Sequence, residues 1–277
     1  MDIKLVSIDM DGTALRDDGS LSESVLQAIN DAAKCCLIVP ASGRSYAEIP
    51  DEILEIPGIL YAIAANGASI MDVKEDREVY SDLIMLSTAR RIFDKLDCLG
   101  LLFLAYSEGV TFCDHKNMEA CVAGFARMGV HYSKLLERMR FVENIGAYFE
   151  KANRHVEKIY IYEAVGKKRE ELMTFLEPLT EVSTTSSNPI NLEINSVTAN
   201  KGAALAWLAE NLSIPQENIM SIGDGNNDLE MLSYAGLSVA MGNAVDSAKR
   251  VASYVTLTNE ADGLAVALQK FLPHLSP

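Results

Sequence analysis

Asp9-Met10-Asp11-Gly12-Thr13 and Gly223-Asp224-Gly225-Asn226-Asn227-Asp228 each follow a short apolar run, Ile3 to Ile8 and Ile219 to Ile222. β-Branched runs of that length, closed by Asp and Gly, read as buried parallel strands. Asp9, Asp11, Asp224 and Asp228 then stand at the carboxyl ends of strands, where open α/β sheets place their ligands. Crowded carboxylates repel one another and resist joint ionisation. A hard divalent cation removes that conflict, and Mg²⁺ suits a few carboxylates completed by water and phosphate oxygens. The chemistry implied is phosphoryl transfer.

Within that chemistry each residue type has a use. Asp9 could attack phosphorus as a carboxylate nucleophile. Asp11, two residues on and so on the same side of an extended chain, could protonate the leaving oxygen and later take a proton from water. Gly12 lets the chain turn sharply after them. An Asp-rich turn beside a strand is the competing, less favoured explanation of these five residues when they are taken alone. A calcium loop competes for the second cluster through Asp224, Asn226 and Asp228. It then fails, because positions six and twelve are Leu229 and Ala235 where Gly and Glu are required. Ser42-Gly43-Arg44 ends a second apolar strand, and its hydroxyl with the following helix amides makes a small anion site. An ordinary Ser cap has the same geometry. Lys201, opening a helix in Asn200-Lys201-Gly202, could neutralise phosphate and nucleophile; a solitary Lys there is normally solvated. Asp-x-Asp, Ser, Lys and Asp-x-x-x-Asp at one sheet edge are a far rarer combination.

The elements that must position these groups are legible in outline. Ser20-Leu21-Ser22-Glu23 reads as a capping box, followed by a helical stripe at 21, 25, 26, 29, 32 and 33. Buried strands follow at 36–40 and 61–64, so strand and helix alternate as in a parallel sheet with right-handed crossovers. A hairpin at 68–71 and 78–80 then changes the rhythm. Between 83 and 188 the expected order is helix 88–97, strands 101–106 and 110–113, helix 117–127, a weakly patterned stretch, strand 156–162, helix 167–177 and strand 180–184. From Asn191 the first pattern resumes with a strand, then helix 200–210, strand 218–222, helix 228–234, strand 237–241 and helix 262–272. The expected fold class is α/β: a Rossmann-like parallel-sheet core from 1–82 and 189–277, interrupted by an inserted α+β domain at 83–188.

Composition narrows the function classes. The chain has 277 residues, 49 % hydrophobic and 23 % charged, with a formal charge of −15, which describes an ordinary globular protein. So acidic a surface disfavours nucleic acid and anionic membranes, whose recognition needs Lys and Arg. Apolar stretches such as Leu99 to Tyr106 are too short to span a bilayer, and no leader-like segment is expected. Five cysteines lie between positions 35 and 121. Cys113, His115 and Cys121 lack a Cys-x-x-Cys knuckle, so reduced packing residues are expected rather than zinc, in a cytoplasmic protein.

In their order, these motifs and Asn66-Gly67-Ala68 resemble those of the haloacid-dehalogenase-like hydrolases. Ala240-Met241-Gly242-Asn243-Ala244 and Asn259-Glu260-Ala261-Asp262-Gly263 resemble the Cof-type branch, which carries a large α/β (type IIB) cap after the third core strand. The resemblance spans both core segments and is weak across the insertion. It implies Asp9 as nucleophile, Asp11 as general acid/base, and Ser42, Gly43, Lys201 and Asn227 on the phosphate. Arg44 and Asn66 would orient that phosphate or its substituent. Mg²⁺ would be held by Asp9, the carbonyl of Asp11 and Asp224, with Asp228 supporting through water. Met10 stands where Leu is commoner and Ala14 where a large aliphatic is usual; both are packing changes.

The implied activity is a Mg²⁺-dependent phosphatase of a small phosphorylated metabolite, a sugar or polyol phosphate, through an aspartyl phosphate on Asp9. A phosphomutase or phosphotransferase on sugar phosphates and a non-catalytic sugar-phosphate sensor are the alternatives. A phospho-receiver domain also uses Asp pairs with Ser/Thr and Lys, but it is one small domain with its Asp on a middle strand. No nucleic-acid or membrane partner is expected, and the protein would be a monomer or homodimer. Selectivity is expected on the cap surface facing Asp9; Arg154, His155 and Lys158 are cationic candidates there, although a solvated strand edge is the simpler explanation for them. His115 and His131 have no evident partner in the sequence.

Overall fold

The computed structural model describes residues 2–128, 136–186 and 190–272. It divides into two compact units, Met1–Tyr80 with Asn200–Pro277, and Ser81–Ala199. Strands before the insertion are β1 (Leu5–Asp9), β2 (Leu37–Ala41), β3 (Tyr61–Ala64), β4 (Ser69–Asp72) and β5 (Arg77–Ser81). Within it come β6 (Phe103–Ser107), β7 (Val110–Asp114), β8 (Arg140–Val142), β9 (Lys158–Ile161), β10 (Val182–Thr185) and β11 (Leu192–Ser196). The chain ends with β12 (Ile219–Gly223), β13 (Leu237–Ala240) and β14 (Tyr254–Val255).

The first unit's sheet runs β14-β13-β12-β1-β2-β3-β4-β5. Pairing is parallel from β14 to β3, and β4 returns antiparallel to β3. Alternation along β1 sends Val6 and Ile8 to one face and Leu5 and Ser7 to the other. On the first face they meet Val25 and Ile29 of helix Glu23–Ala32 and Leu264 and Leu268 of helix Gly263–Phe271. On the second, Leu5, Val39 and Ile63 meet Ala204, Leu205 and Leu208 of helix Lys201–Asn211. Ser7 Oγ there donates to Met231 Sδ at 2.9 Å. Each large side chain removed from water contributes about 1.5–3 kcal/mol. Buried on both faces, the strands need nearly continuous apolar sequence, which makes them legible in the sequence. Asp9 continues the Leu5–Ser7 face and so points toward the start of helix Lys201–Asn211. The first helix begins two residues later than the capping-box reading: Ser22, not Ser20, caps it, accepting from Val25 N at 3.1 Å.

The second unit's sheet runs β10-β11-β9-β6-β7-β8, antiparallel except between β7 and β8. Phe93 and Leu96 of helix Leu86–Leu99, Phe149 of helix Ile145–Ala152 and Leu172 of helix Gly166–Leu176 cover one face. Phe93 stacks on Phe103 at 5.3 Å, and Phe149 stands edge-on to Phe93 and Phe112.

The structure corrects one strand. Leu192–Ser196 does not resume the parallel core; it pairs antiparallel with β9 and β10 inside the inserted unit, which therefore extends to Ala199. The 188/189 boundary itself and His131 fall outside the described residues. Helices Ile145–Ala152 and Asp246–Val251 and the short strands β8 and β14 were not anticipated. Among the described residues no helix is long and apolar enough to cross a membrane.

Candidate active site

Three strand ends of the parallel sheet converge. Asp9 closes β1, residues 42–44 follow β2, and the loop after β12 carries Asp224 to Asp228. Helix Lys201–Asn211 starts beside them because Asn200 caps it, accepting from Ala203 N at 2.8 Å. Lys201, its first residue, is fully buried. Its Nζ donates to Asp9 Oδ1 at 2.5 Å and to Asp228 Oδ1 at 2.7 Å. Asp228 spends its other oxygen on the loop, accepting from the amides of Asp224 at 2.9 Å and Gly225 at 2.8 Å. That clasp closes the acidic turn on itself, and a Cβ on Gly223 would lie 2.6 Å from Asp228 Cγ. Thr13 Oγ1 donates to Asp224 Oδ1 at 3.3 Å. Thr13 stood in the quoted motif without a role; a hydroxyl just past the Gly12 turn was the available signal.

Carboxylate oxygens of Asp9, Asp224 and Asp228 all lie within 4.8 Å of one another, the one His/Cys/Asp/Glu group among the described residues close enough to share an ion. Cys113 and Cys121 instead face each other as buried free thiols, with sulfurs 3.1 Å apart. At the acidic group, three carboxylates face one ammonium. Burial pushes Asp9 well above the usual carboxylate range, helped by the charges of Asp228 and Asp224 and opposed by Lys201. Burial first, then Asp228, pushes Asp224 up to about 6. Lys201 is desolvated too, yet the attraction of Asp228 and Asp9 outweighs that and holds its proton more tightly than usual. Net negative charge thus remains in a buried pocket of hard oxygen donors, and a small divalent cation fits that deficit.

The remaining residues form a second layer. Arg44 grips Asp11 with a two-pronged pair, Nε to Oδ2 at 2.9 Å and Nη2 to Oδ1 at 2.6 Å. Arg44 Nη1 also donates to the Glu48 carbonyl. The resemblance places Arg44 on the phosphate or its substituent; in the structure its fork lies on Asp11. Ser42 is buried, and its Oγ accepts from the amide of Arg44 at 3.1 Å, fixing the Ser42-Gly43-Arg44 turn. Ala65 and Asn66 both adopt positive φ, 48° and 59°, a costly conformation for Ala that persists only where neighbours enforce it. The enforcing contacts are Ala65 N to Arg44 O at 2.7 Å and Asn66 N to Ser42 O at 2.9 Å. So held, Asn66 Oδ1 accepts from Asn227 Nδ2 at 3.2 Å. Gly67 allows a close backbone approach, since a Cβ there would sit 2.3 Å from the Asn200 carbonyl oxygen. The cations suggested for the insertion are engaged within it. Arg154 pairs with Glu108, His155 Nδ1 accepts from Leu86 N, and buried Lys158 pairs with Glu193 at 3.0 Å. His115 lies against the Phe141 ring.

Comparison with known proteins points the same way. The family profile of the haloacid dehalogenase-like hydrolases matches residues 6–268. The 5-amino-6-(5-phospho-D-ribitylamino)uracil phosphatase YcsE of Bacillus subtilis is 31 % identical over 98 % of this chain and 97 % of its own length. A solved haloacid dehalogenase-like hydrolase from B. subtilis superposes with a TM-score of 0.83, at 28 % identity over 97 % of this chain and all of the other. The subclass IIB sugar phosphatase BT4131 shares the fold, with a TM-score of 0.79 at 23 % identity, covering 97 % of this chain and 98 % of that one.

Proposed function

The chain belongs to the haloacid dehalogenase-like hydrolases and is a phosphatase of that family; on that premise we propose that it hydrolyses a small sugar or polyol phosphate through an aspartyl phosphate on Asp9. One observation carries the reading: the Lys201 ammonium bridges Asp9 and Asp228 where Asp224 also converges. An Asp9 oxygen attacks phosphorus, the ester P–O bond breaks, and the departing oxygen takes a proton from Asp11. Water then attacks the phosphorus of the aspartyl phosphate, yields a proton to Asp11, and leaves inorganic phosphate and the free Asp9 carboxylate. Lys201 offsets the charge that Asp9 and the transferring group bring together. Mg²⁺, held by Asp9, Asp224 and the Asp11 carbonyl, would supply charge neutralisation at the phosphoryl oxygens. Asp228 orients the loop and Lys201. Ser42, Gly43 and Asn227 are the proposed phosphate contacts, and Arg44 holds Asp11 in register. The ribityl chain named for YcsE is itself a polyol phosphate, which favours that substrate class. We assign selection among such esters to the inserted unit.

A panel of phosphomonoesters incubated with the protein, with and without Mg²⁺, tests this by phosphate release. Release from sugar or polyol phosphates only with the metal is expected, and Asp9→Asn should lower it by at least about a thousandfold. Silence across the panel, or an active Asp9→Asn protein, would end the proposal.

A further inference from the structure

The loop that follows the nucleophile is tied down from the far end of the chain. Asn243 Nδ2 donates to the Gly12 carbonyl at 2.8 Å, while its Oδ1 accepts from Asn259 N at 2.9 Å. Asn259, buried, donates through Nδ2 to the Leu15 carbonyl at 3.1 Å and to Asp17 Oδ1 at 3.0 Å. Glu260 Oε1 accepts from Asp17 N, and Asp262 Oδ1 accepts from Arg16 Nη2 and from Ser22 Oγ. The same return segment reaches the second acidic loop, with Met241 N on the Gly223 carbonyl and Val245 N on that of Asp224. Asn243 thus holds the Asp11–Gly12 turn through its side chain, while Met241 and Val245 on either side of it hold the Asp224 loop by backbone hydrogen bonds. Gly242 and Gly263 permit this packing, since a Cβ at either would lie 2.8 Å or less from backbone of Leu257.

We propose that Asn243, with Asn259 behind it, is a positioning residue for the general acid. By holding the Gly12 carbonyl it fixes the turn, φ +79° at Gly12, from which the Asp11 side chain departs. The inference rests on the proton-donating role assigned to Asp11 above. Proton delivery matters for an alkoxide leaving group and little for nitrophenolate, which departs without help. The Asn243 amide therefore acts selectively on esters that need the acid.

The test compares glycerol phosphate with p-nitrophenyl phosphate in the intact Mg²⁺-loaded protein. Asn243→Ala should lower kcat/KM, which covers only the steps through departure of the leaving group, about tenfold or more on glycerol phosphate and by less than about twofold on p-nitrophenyl phosphate. Asn243→Asp retains the acceptor for Asn259 N but cannot donate to Gly12, and should behave like the Ala variant. Equal losses of kcat/KM on both esters, no loss on either, or a wild-type ratio in Asn243→Asp overturns the brace. Asp11→Asn is the reference. If it shows the alkyl-selective loss and the Asn243 variants do not, only the brace is wrong. If it shows none, the acid role fails and takes the brace with it.

Discussion

Lys201 is the residue whose removal says most. A buried ion pair is weak evidence of net stabilisation, but deleting one partner leaves the other charge stranded. Lys201→Met should cost about 3–5 kcal/mol in urea denaturation of metal-free protein, and saturating Mg²⁺ should recover part of it. A loss below about 1 kcal/mol would mean that Asp9 and Asp228 are not the charged partners inferred. Asp224 gives the pH counterpart. Its folded value of about 6 lies above the ordinary 3.8. Between those values the fold keeps a proton that the unfolded chain releases. Its stabilising effect is therefore greatest below about pH 4 and is lost as pH rises through about 6. A cation needs the ionised carboxylate and so gains affinity across the same window. Mg²⁺ should raise Tm little near pH 5 and much more near pH 7.5, with the step abolished in Asp224→Asn. A Tm increment independent of pH would contradict the site.

At the scale of elements, turns decide whether the strand ends meet. Gly12 has φ +79°, and a Cβ there would lie 2.5 Å from Asp224 Oδ2. Gly12→Ala should cost about 1–3 kcal/mol and sharply reduce phosphate release, as read by denaturation and kcat. A variant with unchanged turnover would show that the two acidic loops need not approach so closely. These loops were legible because each acid cluster closes a strand buried on both faces. The strand Leu192–Ser196 is where sequence and structure part, because its place just before the second core segment suggests a return to the parallel pattern. The interleaving of Leu192 and Ile194 with Asn191, Glu193 and Asn195 is instead the alternation of an antiparallel strand with one apolar face, and Leu192 and Ile194 do pack with Phe103 and Ile159. Tyr254–Val255 is too short to carry any period. The grip of Arg44 on Asp11 was hidden for another reason: it joins residues 33 apart through side-chain directions that only the assembled sheet defines.

For the molecule as a whole, each unit has its own buried apolar cluster. The inserted stretch is continuous in sequence and carries its own Phe93–Phe103–Phe149 centre. Ser81–Ala199 produced alone should give native-like far-UV circular dichroism and one cooperative thermal transition, and Phe93→Ala should weaken it by about 3–5 kcal/mol. A non-cooperative melt would show that the fragment borrows its order from the rest of the chain. Every group assigned a chemical task, from Asp9 to Lys201 to Asn243, lies outside that stretch. Only the peptide links Tyr80–Ser81 and Ala199–Asn200 join the two units covalently. A lineage could therefore rewrite or exchange everything between those links and inherit the reaction untouched, trading clientele while keeping its trade.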